Sequence, residues 1–368
     1  MSSNTKELKP LRFSHIIGKD FSSTLNKRVR AYFKENNLSK YANTNMVVKT
    51  VFMTLLYLVP LILMLTGVVT SFWLVFLMYV IMGFGMAGVG LSIMHDANHG
   101  AYSKKDNVNK WIGRIINLVG GYALNWKIQH NVLHHTYTNV HEYDEDISTI
   151  GLLRFSPDEK WKPIHKYQYL YAWFFYGLMT VMWMTTKDFQ QLKRYKDKDL
   201  LKTFNQTYKS NLIKMIISKV LYYAITIVLP IILLPVAWYW ILLFVFIMHY
   251  IAGFILGIVF QPAHVMPETE FVKAPENLHI ENNFAIHQME TTSNFAPKSR
   301  IFAWYVGGLN FQVEHHLFPN ICHVHYKKLS KIVKATAEEF NVPYNTHKTF
   351  LKAVLYHGKM LKQLGKAQ

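Results

Sequence analysis

Four short stretches concentrate the imidazoles of this 368-residue chain: HDANHG (95–100), HNVLHH (130–135), QPAHV around His264, and QVEHH (312–316). A spacing of four places His95 and His99 on one helical face, a common way for a helix to grip one metal ion. His130 and His134 repeat the spacing, while His135 points about 100° away. The adjacent pairs His134-His135 and His315-His316 can therefore address two different ions. With His264 this makes eight candidate ligands, too many for one ion and about right for two. Uncharged imidazole suits iron, zinc and copper rather than magnesium or calcium. A structural zinc site normally draws on cysteine, and Cys322 is the only one. That count also excludes intrachain disulfides and cysteine-ligated iron–sulfur clusters. A zinc protease would show HExxH with its glutamate base, but Asp96 follows His95. Redox iron remains.

These groups need elements that bring them together. Half of the residues are hydrophobic, and the formal net charge is +18. No charged side chain occurs from Val51 to Met94 or from Val220 to Pro267. A hydrocarbon core roughly 30 Å thick takes about 20 helical residues to cross, so each block holds two crossings and a tight turn. Thr70-Ser71 divides the first block and the Pro230 to Pro235 region the second. The fold class expected is an all-α integral membrane protein with four transmembrane helices in two hairpins and a cytoplasmic helical cap. The chain reads as one domain: a basic arm (1–46), hairpin one (47–94), a cytoplasmic middle (95–212), hairpin two (213–260) and a cap (261–368).

All forty Lys and Arg residues lie outside the two blocks, which places arm, middle and cap on the cytoplasmic side. The bacterial inner membrane is the expected location. No apolar core with a small-residue cleavage site opens the chain, so no cleaved signal peptide is expected. Tyr169 to Thr185 reads as an interfacial helix on the bilayer surface. A fifth crossing there would separate QVEHH from HDANHG. A nucleic-acid binder would leave the charge-free blocks unexplained. A metal transporter would want its ligands along the midplane, whereas here they gather at one face.

HDANH, HNVLHH and QVEHH resemble the three histidine boxes of the membrane fatty acid desaturases, and the likeness covers nearly the whole chain. Gln312, in place of the first histidine of the third box, resembles the front-end subgroup, which inserts a double bond between an existing one and the carboxyl end. FQPAHV, HQMETTSNFA and GGLNFQVEHHLFPNICHVHY are similar to bacterial linoleoyl-CoA-desaturase-like members. The resemblance implies an O2-dependent acyl desaturase with two iron ions held by His95, His99, His130, His134, His135, His264, His315 and His316. A hydroxylase or acetylenase on the same scaffold is the alternative. The substrate would be a fatty acyl chain on coenzyme A, acyl carrier protein or phospholipid. The arm shows no HPGG haem motif of a fused cytochrome b5 domain, so a separate donor such as ferredoxin or cytochrome b5 is expected. The basic surface suits an acidic donor, and membrane lipid is a partner too.

Asp96, Asp144, Asp146 and Glu314 are the acids expected to orient ligating imidazoles through their free N–H groups, and Gln312 is placed to hold a water. Trp126 and Trp304 are candidates to line an acyl tunnel. His141, His287, His323 and His325 rank behind the eight as neighbours or surface groups. His249, 15 residues before His264 and roughly 22 Å along a helix, is expected to be a hydrogen-bonded bystander, and His347 a surface group.

Overall fold

The computed structural model describes residues 8–149 and 151–367; the first seven residues of the basic arm lie outside them. The charge-free blocks form two helical hairpins, Thr44–Leu65 with Phe72–Asn98 and Tyr208–Leu233 with Trp238–His264. Asn43 caps the first spanning helix, its side chain accepting from the Met46 N–H at 3.2 Å, and Thr207 does the same for the third through Ser210. The hairpin turns fall at 66–71 and 234–237.

The second and fourth spanning helices run 27 residues each, about 40 Å. That exceeds the hydrocarbon thickness by about 10 Å, so their last turns rise out of the bundle and carry His95, His99 and His264 into the cap. These two helices are also the most enclosed, 61% and 50% buried against 33% and 22% for the first and third. Glycine permits the closeness. A Cβ on Gly83 would stand 2.8 Å from the Met248 carbonyl, and one on Gly85 would stand 2.8 Å from the Tyr57 amide. Tyr79, Met82 and Met86 pack there against Phe244 and Met248. The outer helices present Val51, Leu55, Ile62, Ile217 and Val220 outward, as a lipid-facing stripe would require.

The basic arm is not a loose tail. It contains a helix, Lys19–Glu35, whose Phe21, Leu25 and Val29 repeat at four-residue spacing and pack with Leu329 and Val333 of the helix Tyr326–Glu339. Two short parallel strand pairs complete the cap, Arg12–Phe13 with His279–Ile280 and Ser293–Phe295 with Asn345–His347.

The segment expected to be interfacial packs on the bundle. The stretch from Tyr169 to Thr185 packs against the fourth spanning helix. It forms Gln168–Gly177 and Met179–Met182, and these run alongside the fourth spanning helix. A Cβ on Gly253 would meet the Gly177 carbonyl at 2.5 Å, and Thr180 donates to the His249 carbonyl at 2.6 Å. The segment then returns through Trp183–Lys187 to Asp188, whose carboxylate takes the buried Lys219 ammonium at 2.6 Å. Close backbone approach at Gly177 and Gly253 keeps the segment against the fourth helix, and the Asp188–Lys219 pair ties its end to the third.

Candidate metal centre

Each histidine is delivered by a defined piece of backbone. His95 follows a wide π turn over Val89–Ile93, and the helix Met94–Asn98 then carries it. The second box lies on another π turn, Ile128–His134, closed by the His135 N–H donating to the His130 carbonyl at 2.9 Å. Such turns are uncommon and gather at functional sites. Here the wider turn changes which rings meet. His130 and His135, five apart, approach with Nε2 atoms 3.2 Å apart, whereas α-helical spacing pairs His130 with His134. His264 ends the fourth spanning helix just past Pro262, and Gln312–Leu317 presents His315 and His316.

The imidazoles converge in overlapping groups. His95, His99, His130 and His315 have ring nitrogens mutually within 4.8 Å, as do His134, His264 and His316; His135 joins His315 and His316 between them. Nε2 of His95 lies 3.0 Å from that of His130, and Nε2 of His135 lies 2.9 Å from that of His315. His134 thus joins His264 and His316, and with Asp146 it also forms a group with His130, its partner at four-residue spacing. His134 and His135 fall in different groups, whereas His315 and His316 share the one that includes His135.

Four of the outward nitrogens are tied down, whereas Nδ1 of His95 and of His135 has no partner among the described residues. His134 Nδ1 donates to Asp144, 3.0 and 3.1 Å from its two oxygens. His264 Nδ1 donates to the Thr291 carbonyl at 3.2 Å, and His316 Nδ1 to Gln288 Oε1 at 2.8 Å. His315 Nδ1 pairs with the Tyr326 hydroxyl at 3.2 Å. Facing the common space, the buried Nε2 atoms of His99, His264 and His316 have no hydrogen-bond partner. Anchored Nδ1 with free, inward Nε2 is the arrangement that metal-ligating histidines require, and leaving such atoms buried without a ligand would be costly.

Electrostatics agree. Burial, reinforced by neighbouring imidazoles, pushes the pKa of His99, His135, His315 and His316 well below the usual value, and that of His130 to about 3. Those rings are in the neutral, ligating form. Burial opposes charge on His134 too, but the carboxylates of Asp144 and Asp146 outweigh it and raise its pKa to about 9. The two carboxylates thus favour positive charge at this corner of the cluster, carried by a proton on His134 or by a cation.

The expected orienting acids fare differently. Asp144 touches His134 directly. Asp146 stands 3.6 Å from His134 Nδ1 and 3.8 Å from His130 Nδ1. Asp96 turns mainly to His323, accepting from its Nδ1 at 2.8 Å, and is 3.8 Å from His95, beyond hydrogen-bonding range. Glu314 faces away: its carboxylate accepts from Asn294 and Tyr344 at 2.9 Å. Gln312 is buried with an unpartnered Nε2. Trp126 lies on the cluster, 4.5 Å from the His130 ring, whereas Trp304 packs on Phe52 at 5.6 Å. His249 bonds to Tyr222 and Thr180, apart from the eight. His347 is buried, not a surface group: strand pairing draws it in, and it holds Glu268 and packs at a tilt against Tyr356. His287 donates to the Thr138 carbonyl.

Sequence reasoning missed Gln288, Thr138, Thr291 and Tyr326. Gln288 takes His316 Nδ1, which also lies 3.2 Å from the Thr138 hydroxyl, accepts from Thr138 and donates to the His135 carbonyl. Its position one residue after His287 in the singled-out stretch HQMETTSNFA was the only local hint.

Comparison with known proteins places this geometry. A family model described as fatty acid desaturase matches residues 70–348. The chain is 36% identical over 369 residues to the sn-1 linoleoyl-lipid 6-desaturase of Arthrospira platensis, covering 99% of this chain and 96% of that one. A protein of the same description from Synechocystis sp. is 33% identical over 353 residues, 94% of this chain and 96% of its own. The acyl-lipid (8-3)-desaturase of Physcomitrium patens is 32% identical over 377 residues, 96% of this chain and 74% of its own.

Proposed function

The chain belongs to the fatty acid desaturase family, an oxidoreductase family acting on acyl lipids, and on that premise we propose that it is a front-end desaturase with two irons in its histidine cluster. His95, His99, His130 and His315 would hold one ion, His134, His264 and His316 the other, with His135 between them. The observation that carries this reading is the convergence of the eight imidazoles, with His264 and His316 each anchored at Nδ1 and presenting a buried, unpartnered Nε2 to the others. The front-end assignment rests on Gln312 in the third motif and on relatives described as 6- and (8-3)-desaturases.

An unactivated methylene C–H bond resists any side-chain acid or base. Bound iron, with O2 and two electrons, supplies the oxidising power to remove two vicinal hydrogens, and the protein's part is to hold and tune it. Asp144, Gln288, Thr291 and Tyr326 lock the rings; Trp126 covers the His95, His99 and His130 faces and keeps water from them. A cavity of about 480 Å³ opens beside Asp144, with Phe175, Leu178, Met179 and Met182 along one wall, and we assign it to the acyl chain. The active face is cytoplasmic, and electrons arrive from a separate protein such as a ferredoxin or cytochrome b5.

The test is expression in a host lacking polyunsaturated lipids, with gas chromatography of the fatty acids and metal analysis of the purified protein. A new double bond nearer the carboxyl end and about two irons per chain are expected. One ion per chain, or normal desaturation by a His315→Ala variant, would overturn the assignment. A hydroxylated product would point to the alternative oxidase.

A further inference from the structure

A second cavity, about 600 Å³, lies between the helix Asp106–Gly113, the segment that follows it and the start of the third spanning helix. Four cations line it, Lys110, Arg114, Lys127 and Lys214, and no carboxylate does. Other cations are neutralised within the fold, as Lys219 is by Asp188 and Arg194 by Glu145. None of these four makes an ion pair among the described residues. A positive-inside excess accounts for many scattered cations, but not for four around one hollow, where like charges repel.

The place matches a headgroup. Lys214 stands near the start of a spanning helix, and Trp111, Leu118 and Ile213 beside the cleft are 70%, 58% and 49% exposed, as at a membrane–water interface. The cleft is built partly from residues next in sequence to the metal centre. Its wall includes Asn98, which immediately precedes His99, and Lys127, which immediately follows Trp126. A front-end reaction occurs only a few carbons from the ester, so the group carrying the acyl chain must be held close to the metals. The acyl cavity beside Asp144 lies past the other histidine group.

We propose that this cleft binds the phosphate of the acyl donor, with Arg114 and Lys127 as its principal contacts. Arg offers a bidentate fork and Lys a point charge to such an oxyanion, and amides of Asn117 and Gln206 line the same wall. Burial, and then the charges of Lys110 and Arg114, lower the Lys127 pKa, a cost that a bound phosphate would relieve. The proposal rests on the desaturase reading and names the chemistry of its substrate; a phospholipid and coenzyme A both supply that phosphate.

The experiment titrates the iron-loaded full chain with short-chain phosphatidylglycerol, with coenzyme A and with short-chain diacylglycerol as the uncharged control, following tryptophan fluorescence. Arg114→Gln and Lys127→Gln should each weaken a phosphate probe about tenfold, Lys127→Arg should restore most of the loss, and the distant Lys331→Gln should change nothing. KM for the matching acyl donor should rise in the same variants with kcat little altered. Loss confined to phosphatidylglycerol identifies a phospholipid donor, and loss confined to coenzyme A identifies a thioester. Binding of both probes unchanged in Arg114→Gln and Lys127→Gln, or no preference for either over diacylglycerol, overturns the proposal. Phosphate binding that follows these variants in a protein making no double bond would instead refute the desaturase reading.

Discussion

Asp144→Asn tests whether the anchors behind the imidazoles, rather than the imidazoles alone, build the metal centre. Asp144 is buried and receives His134 Nδ1 together with the backbone N–H groups of Asn139 at 2.9 Å and Asp146 at 2.8 Å. Asparagine fits the space but has one acceptor oxygen, so its NH2 group must face at least one N–H donor. Either the 139–146 loop loses a bond or His134 loses the partner that keeps its Nε2 turned inward. Removal of such an anchor typically costs 10–100-fold in metal affinity or activity, about 1.4 to 2.8 kcal/mol. The assay is iron release to a chelator, followed alongside desaturation per molecule and thermal melting. The ion of the His134, His264 and His316 group should leave at a chelator concentration lower by that factor, and activity should fall with it. A folded variant with unchanged release and activity would refute the argument that Asp144 orients His134.

Replacing His347 by alanine should lower stability by about 1–3 kcal/mol, because Glu268 loses its main partner, while activity per molecule persists; melting and specific activity measured together check it. Gly253→Ala should destabilise by about 1–3 kcal/mol, since the added methyl meets the Gly177 carbonyl; a variant melting with the parent protein would contradict the close crossing. In intact cells, a cysteine at position 70 should label from outside and one at position 103 should not, and native Cys322, being buried, adds no background. Outside labelling at position 103 would reverse the topology.

The two charge-free blocks and the eight histidines were legible in the sequence, and for a physical reason. Whether a segment can cross a bilayer depends on its own apolar length, and whether a residue can ligate depends on its own donor atom. Both are local properties. His249 could be set aside in the same way, by counting rise per residue from His264. What tertiary structure alone decided was partnership. His134 meets His264 and His316 from distant parts of the chain, and Gln288, an unremarked amide, anchors His316. The π turn regroups His130 with His135, because a backbone bond five residues apart is chosen by the packing around it and not by residue type. Glu314 adjoins His315 in sequence yet turns to Tyr344, and the Tyr169 to Thr185 stretch follows the fourth spanning helix because Gly177 and Gly253 let two backbones touch. Orientation and pairing come from contacts between segments far apart in the chain, and neither spacing nor composition records which of those contacts the fold will close.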